Sequence, residues 1–230
     1  MWPLLRRSKR YDSFGIIFDF DGTLARMSID FDAMRRAVHG VFERNGVSPN
    51  CLKRRFILER IDEVYDRLQE ESPARARHIK DEALRVIEEM ELAAAARSRL
   101  LPGVYSRLWG LREGGTRLAI ATRNCEKALK SVIGKATVFF DVILTRENSL
   151  AYKPEKHSLD PILKAFSLPN ENIAMIGDHP IDVLTARAVG LLPVAVLTGT
   201  GQKNALLEAG PAYLFKHVNQ AVDALFGHIF

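Results

Sequence analysis

The chain has 230 residues, 47% hydrophobic and 27% charged, with a formal net charge of +5. These proportions describe a globular protein with one large domain or a core plus an insertion, and no stretch approaches the ~20 apolar residues of a membrane span. Two cysteines, Cys51 and Cys125, exclude a disulfide framework and a multi-cysteine zinc site, so a reducing cytoplasm is the expected compartment.

Residues 1–12 set Arg6, Arg7, Lys9 and Arg10 against Asp12 and so carry much of the positive charge. They read as a basic N-terminal tail, with the wrong order and length for a secretory signal. A nucleic-acid groove needs basic residues on a folded face with stacking aromatics, and the sequence shows no such cluster. Neither nucleic acid nor a membrane is an expected partner.

From Phe14 to Arg26 the sequence reads FGIIFDFDGTLAR. The apolar run predicts a buried strand, which puts Asp19 and Asp21 at its carboxyl end, where open α/β sheets bind ligands. Two unit charges about 4 Å apart repel by roughly 4 kcal/mol at an effective dielectric near 20, and a bound cation offsets that cost most simply. Gly22 permits a turn that other residues resist, and Thr23 adds a hydroxyl and an amide at the same spot.

Long helical stretches follow. Phe31, Met34, Val38, Val41 and Phe42 recur at helical spacing over Asp30–Asn45, and Gly46 closes that helix. Ser48-Pro49 predicts the start of a second helix running to Glu71, and Ser72-Pro73 the start of a third reaching about Arg99. From Arg26 to Leu100, fifteen Lys/Arg against fourteen Asp/Glu make the block nearly neutral, so its charges read as solvated helix faces.

Beyond Leu101-Pro102-Gly103 the pattern alternates. Strands are predicted at Thr116–Ala121, Val138–Leu144, Asn172–Ile176 and Pro193–Leu197. Helices are predicted near Val104–Arg112, Glu126–Ile133, Leu159–Phe166, Ile181–Val189 and His217–Phe226. Alternation of this kind implies an α/β fold with a parallel, doubly wound (Rossmann-like) sheet, here interrupted after its first strand by an all-α insertion. The expected division is a tail at 1–12, a core at 13–26 and 101–230, and a helical cap at 27–100.

Three further polar groups fall at or beyond strand ends. Thr122, with Arg123 and Asn124, follows the second core strand, where a hydroxyl and helix-start amides suit a phosphate oxygen. Lys153-Pro154 follows the third. Gly177-Asp178 ends the fourth, and Asp182 comes four residues later near a helix start.

Together these pieces resemble the haloacid dehalogenase-like (HAD) phosphohydrolases: DFDGTL resembles the DxDGT signature, Thr122 the second motif, Lys153-Pro154 the third, and GDHPID the GDxxxD fourth. The resemblance implies Asp19 as nucleophile, Asp21 as acid/base, and Thr122 and Lys153 as phosphate-stabilising catalytic groups. Gly22, Thr23, Arg123 and Asn124 join them as substrate-binding residues. It implies Mg2+ held by Asp19, Asp21 through its carbonyl, and Asp178, with Asp182 as supporting acid; all-oxygen ligation suits that ion. His179 is not needed as a ligand.

The likeness extends over nearly the whole chain from Phe14 and is closest to the phosphoglycolate phosphatase-like branch, with a helical cap between its first two motifs. It implies a small phosphorylated metabolite, phosphoglycolate-like or a sugar phosphate, and a monomer or homodimer. One departure is Ala25-Arg26-Met27-Ser28, where phosphoglycolate phosphatases often carry a Val-Asp-Ser type segment. A phosphomutase of the same superfamily and a non-catalytic phosphate-binding regulator are the alternatives.

Overall fold

A computed structural model describes residues 14–227; the basic tail expected at 1–12 lies outside the described residues. The chain divides into two compact units, one formed by the described residues up to Met27 together with those from Ser98, the other by Ser28–Arg97. Among the described residues no helix is long and apolar enough to cross a membrane.

The first strand, β1 (Gly15–Phe18), is buried along its whole length. The Ser28–Arg97 unit comes next in the chain and is built from α1 (Phe31–Arg44), α2 (Ile57–Leu68) and α3 (Pro73–Ala95). The Asp30 carboxylate caps α1 by accepting the Ala33 amide at 2.8 Å. Met34, Val38, Val41 and Phe42 form the buried stripe of α1, whereas Phe31, read from the sequence as part of that stripe, is exposed. The buried face of α3 is rich in alanine, with Ala76, Ala83 and Ala94 beside Ile79 and Ile87.

The helix predicted from Pro49 to Glu71 is corrected. A single 3-10 turn covers Pro49–Cys51, and α2 begins only at Ile57. The cause is a side chain: the Glu63 carboxylate accepts the Lys53 and Arg54 amides at 2.9–3.0 Å. Those amides are thereby satisfied without a helical turn.

The remaining elements are α4 (Val104–Glu113), β2 (Arg117–Ala121), α5 (Glu126–Ile133), β3 (Val142–Leu144), α6 (Asp160–Phe166), β4 (Ile173–Gly177), α7 (Pro180–Ala188), β5 (Leu192–Val196), α8 (Lys203–Ala209), β6 (Tyr213–Phe215) and α9 (Val218–Phe226). The third strand is shorter than the predicted Val138–Leu144: a 3-10 segment at Gly134–Phe139 precedes it, and Val138 is 75% exposed. Neither α8 nor β6 was anticipated from the sequence. Both are short, and β6 is only half-buried at the sheet edge.

All strand pairs are parallel, in the order β3-β2-β1-β4-β5-β6. Alternate residues of β1 face opposite sides, and Ile16, Ile17 and Phe18 are all at most 1% exposed, so helices cover both faces of the sheet. Ile17 joins Ala119, Leu144, Ile162, Phe166 and Met175 in one core cluster. Each large side chain so buried contributes roughly 1.5–3 kcal/mol. Gly15 leaves room for that cluster, since a Cβ there would lie 2.7 Å from the Phe166 ring. Strand order turns outward in both directions from β1 and β4, and the crevice at their carboxyl ends is the switch point of this architecture.

Candidate active site

Asp19 is the first residue past β1, and its amide donates to Ile176 O of β4 at 2.9 Å. The chain then closes a tight turn in which Thr23, Leu24 and Ala25 amides all donate to Phe20 O and Gly22 N donates to Ala25 O. Gly22 sits at φ +86°, and a Cβ on it would lie 2.6 Å from the Asp178 carboxyl. Both facts require glycine. Asp21 accepts the Met27 amide at 2.8 Å, while Thr23 is fully buried with no partner for its hydroxyl.

At the end of β2, Thr122 N donates to Leu144 O, and the Thr122 hydroxyl accepts the Asn124 amide at 3.2 Å. The Asn124 side chain contacts Met27 Sδ at 3.0 Å. At the end of β4, Asp178 and Asp182 flank the start of α7, with His179 as its N-cap: His179 Nδ1 accepts the Ile181 amide, and Asp182 Oδ2 accepts the His179 amide.

Lys153 ties these ends together. Its ammonium, 5% exposed, donates to Asp19 Oδ1 at 2.7 Å, Asp182 Oδ1 at 2.6 Å and Ala121 O at 2.8 Å. All three of its protons are thereby used. Burial alone would lower the Lys153 pKa, but Asp182 and Asp19 outweigh it and hold the amine protonated well beyond its ordinary range.

The carboxylates are less well compensated. Burial raises the Asp19 pKa well above 3.8, with Asp182 and Asp178 adding to the rise and Lys153 opposing it. Burial, then Asp182, pushes Asp178 up to about 7. Burial raises Asp21 too, against the Met27 amide that lowers it. Asp19, Asp178 and Asp182 share one ammonium. Asp19, Asp178 and Asp182 can each direct an oxygen into a common space with the donor atoms within 4.8 Å of one another. An all-oxygen, net-negative cluster of this kind suits a hard divalent cation such as Mg2+.

The structure therefore gathers Asp19, Gly22, Lys153, Asp178 and Asp182 at one point, with Asp21 on the adjoining turn. Thr122 and Lys153 line one small pocket with Arg123, Tyr152 and Ser158. Arg123 donates to Lys153 O at 2.7 Å, so its guanidinium and the Asn124 amide group both have partners within the protein. One contributor was missed from the sequence: the loop Thr198–Gly201 after β5. Thr200 N donates to Asp178 Oδ2 at 2.9 Å, the Thr198 hydroxyl donates to Gly22 O, and a side chain on Gly199 would collide with Asp178. A Thr-Gly-Thr-Gly run at the end of a strand is the signal that could have found it.

The family model described as haloacid dehalogenase-like hydrolase matches residues 16–196. A phosphoglycolate phosphatase of Cereibacter sphaeroides is 27% identical over 92% of this chain and 97% of its own length. The pyrophosphatase PpaX of Halalkalibacterium halodurans is 27% identical over 53% of this chain and 57% of its own. Against several curated relatives the chain spans only 54–62% of their length. Among solved structures, a hydrolase from Pseudomonas syringae superposes with a TM-score of 0.65 at 19% identity, covering 93% of this chain and 98% of that one, which establishes the fold.

Proposed function

This chain belongs to the haloacid dehalogenase-like hydrolases, and we propose that within that family it is a Mg2+-dependent phosphatase acting on a small phosphate monoester through an aspartyl-phosphate at Asp19. The observation that carries this reading is the Lys153 ammonium on Asp19 Oδ1 with a second, less buried carboxyl, Asp21, one turn away.

Lys153 holds Oδ1, which orients Oδ2 of Asp19 toward an incoming phosphorus. As the Asp19–phosphorus bond forms, the bond to the ester oxygen breaks, and that oxygen takes a proton from Asp21. The raised pKa of Asp21, caused first by its burial, equips it to hold that proton. Asp21 then takes a proton from water, whose oxygen attacks phosphorus, and the Asp19 carboxylate is released with inorganic phosphate.

Lys153, the Thr122 hydroxyl and nearby amides stabilise charge on the transferring oxygens throughout. Asp19, the Asp21 carbonyl and Asp178 would hold Mg2+, and Asp182, whose two oxygens accept from Lys153 and His179, is assigned the supporting position. When bound, that ion supplies neutralisation of phosphoryl charge.

The test is phosphate release from a panel of esters, with pyrophosphate included because of the PpaX relative, with and without Mg2+, using wild type and Asp19→Asn in parallel. Mg2+-dependent release that the variant lacks is the expected outcome. Release that survives Asp19→Asn would overturn the nucleophile assignment. Conversion of one sugar phosphate into another without free phosphate would replace the phosphatase by a mutase.

A further inference from the structure

Arg123 lies directly after Thr122 in a position that the sequence reads as a substrate contact. Its guanidinium instead reaches across 30 residues of chain to donate to Lys153 O at 2.7 Å, and it lies 5.6 Å over the Tyr152 ring. On the other side of Thr122, Ala121 O accepts the Lys153 ammonium at 2.8 Å. The two residues that flank Thr122, Ala121 and Arg123, thus grip Lys153 at both ends, its side chain through a carbonyl and its backbone through a guanidinium.

We propose that Arg123 is a positioning residue: lying over the Tyr152 ring and bonded to Lys153 O, it sets the register of the 152–153 segment and so fixes the Lys153 ammonium between Asp19 and Asp182. The inference deepens the phosphatase reading of the site and rests on it for its kinetic consequences. The physical argument concerns geometry. Lys153 has four rotatable bonds, and keeping its ammonium on two carboxylates and one carbonyl at 2.6–2.8 Å costs less when its backbone is anchored, as the Arg123 bond to Lys153 O anchors it. A planar guanidinium can stack on a ring and donate in its own plane at once, which an ammonium cannot do. Lysine at 123 would keep the charge and lose the grip.

The kinetic test compares wild type, Arg123→Ala, Arg123→Lys and Tyr152→Leu on p-nitrophenyl phosphate, which has no second anionic group, and on phosphoglycolate, which has a carboxylate. Positioning predicts a fall in kcat of up to about 100-fold on both esters for Arg123→Ala, with KM within about twofold. Arg123→Lys fails to rescue, and Tyr152→Leu shows a smaller loss of the same kind. In a Lys153→Met background Arg123→Ala adds nothing further. A rise in KM confined to phosphoglycolate, with kcat intact, would overturn the proposal and make Arg123 a substrate contact.

A second readout is independent of turnover. Reductive methylation followed by mass spectrometry reports how accessible Lys153 is relative to the other lysines. Lys153 should be protected in wild type and become labelled selectively in Arg123→Ala. Unchanged protection in Arg123→Ala would overturn the brace even if every ester were hydrolysed normally, whereas selective labelling in Arg123→Ala beside a wild type that protects Lys153 but hydrolyses no ester would sink the phosphatase reading and leave the brace standing.

Discussion

The Lys153 ammonium lies 2.7 Å from Asp19 Oδ1 although 134 residues separate them in the chain. It is also the buried cation that serves Asp182. Removing it strands two carboxylates in a region where both are nearly inaccessible.

Lys153→Met is therefore expected to destabilise the metal-free protein by about 3–5 kcal/mol at neutral pH, the cost of leaving a buried charge without its partner. Urea denaturation measures this. The loss should shrink toward pH 4, where the raised pKa of Asp19 lets it take up a proton and shed its charge. A loss independent of pH would mean that packing of the lysine stem, and not its charge, is the larger contribution.

Asp19→Asn should keep the fold, because asparagine has the same shape and its oxygen still accepts from Lys153. Turnover should fall by about 10^4-fold or more, since the attacking oxygen is gone. Initial rates of phosphate release, set beside a denaturation curve matching wild type, make the comparison.

Asp178 ties stability to pH. Its folded-state pKa of about 7 lies above the ordinary 3.8, so folding takes up a proton between those values. The group's stabilisation is complete below about pH 4 and is lost as pH rises to about 7, amounting to a few kcal/mol and at most about 4. Asp178→Asn, which keeps an acceptor for the Thr200 amide, should raise the melting temperature of the metal-free protein at pH 8 and change it little at pH 4. The rise caused by added Mg2+ should be present in wild type and lost in the variant. Equal melting temperatures for the two proteins at pH 8 would rule this linkage out.

Gly22→Ala should be costly out of proportion to one methyl group. A φ of +86° strains any residue with a Cβ, and that Cβ would lie 2.6 Å from the Asp178 carboxyl. About 1–3 kcal/mol of stability should be lost, together with a higher Mg2+ concentration for half-maximal activity. Half-saturation unchanged with stability reduced would locate the whole effect in the turn and none in Asp178.

Strand ends were the legible part of this protein. Apolar runs such as Gly15–Phe18 and Ile173–Ile176 have one structural use, and the polar residues after them necessarily fall on the same edge of a parallel sheet. Features set by distant partners were not legible. Nothing near Lys53 announces that Glu63 will take its amide, which is why Pro49 does not open a long helix. Arg123 after Thr122 resembles an anion contact until a carbonyl thirty residues on is seen to take its guanidinium. The Thr198–Gly201 loop carries no titratable side chain, and its use depends on how closely Asp178 approaches.

The place of β1 in the sheet also bears on how the molecule is made. This strand is made before either of its partners, since Gly15 pairs with Arg117 on one side and Ile173 on the other. It must wait, apolar and unpaired, while the Ser28–Arg97 helices form from contacts close in sequence. The acids that follow it do not meet Asp178 until β4 has been made. During synthesis, then, the charged pair at Asp19 and Asp21 keeps its water, and the cost of crowding the carboxylates arises only when Lys153, Asp178 and Asp182 close over them.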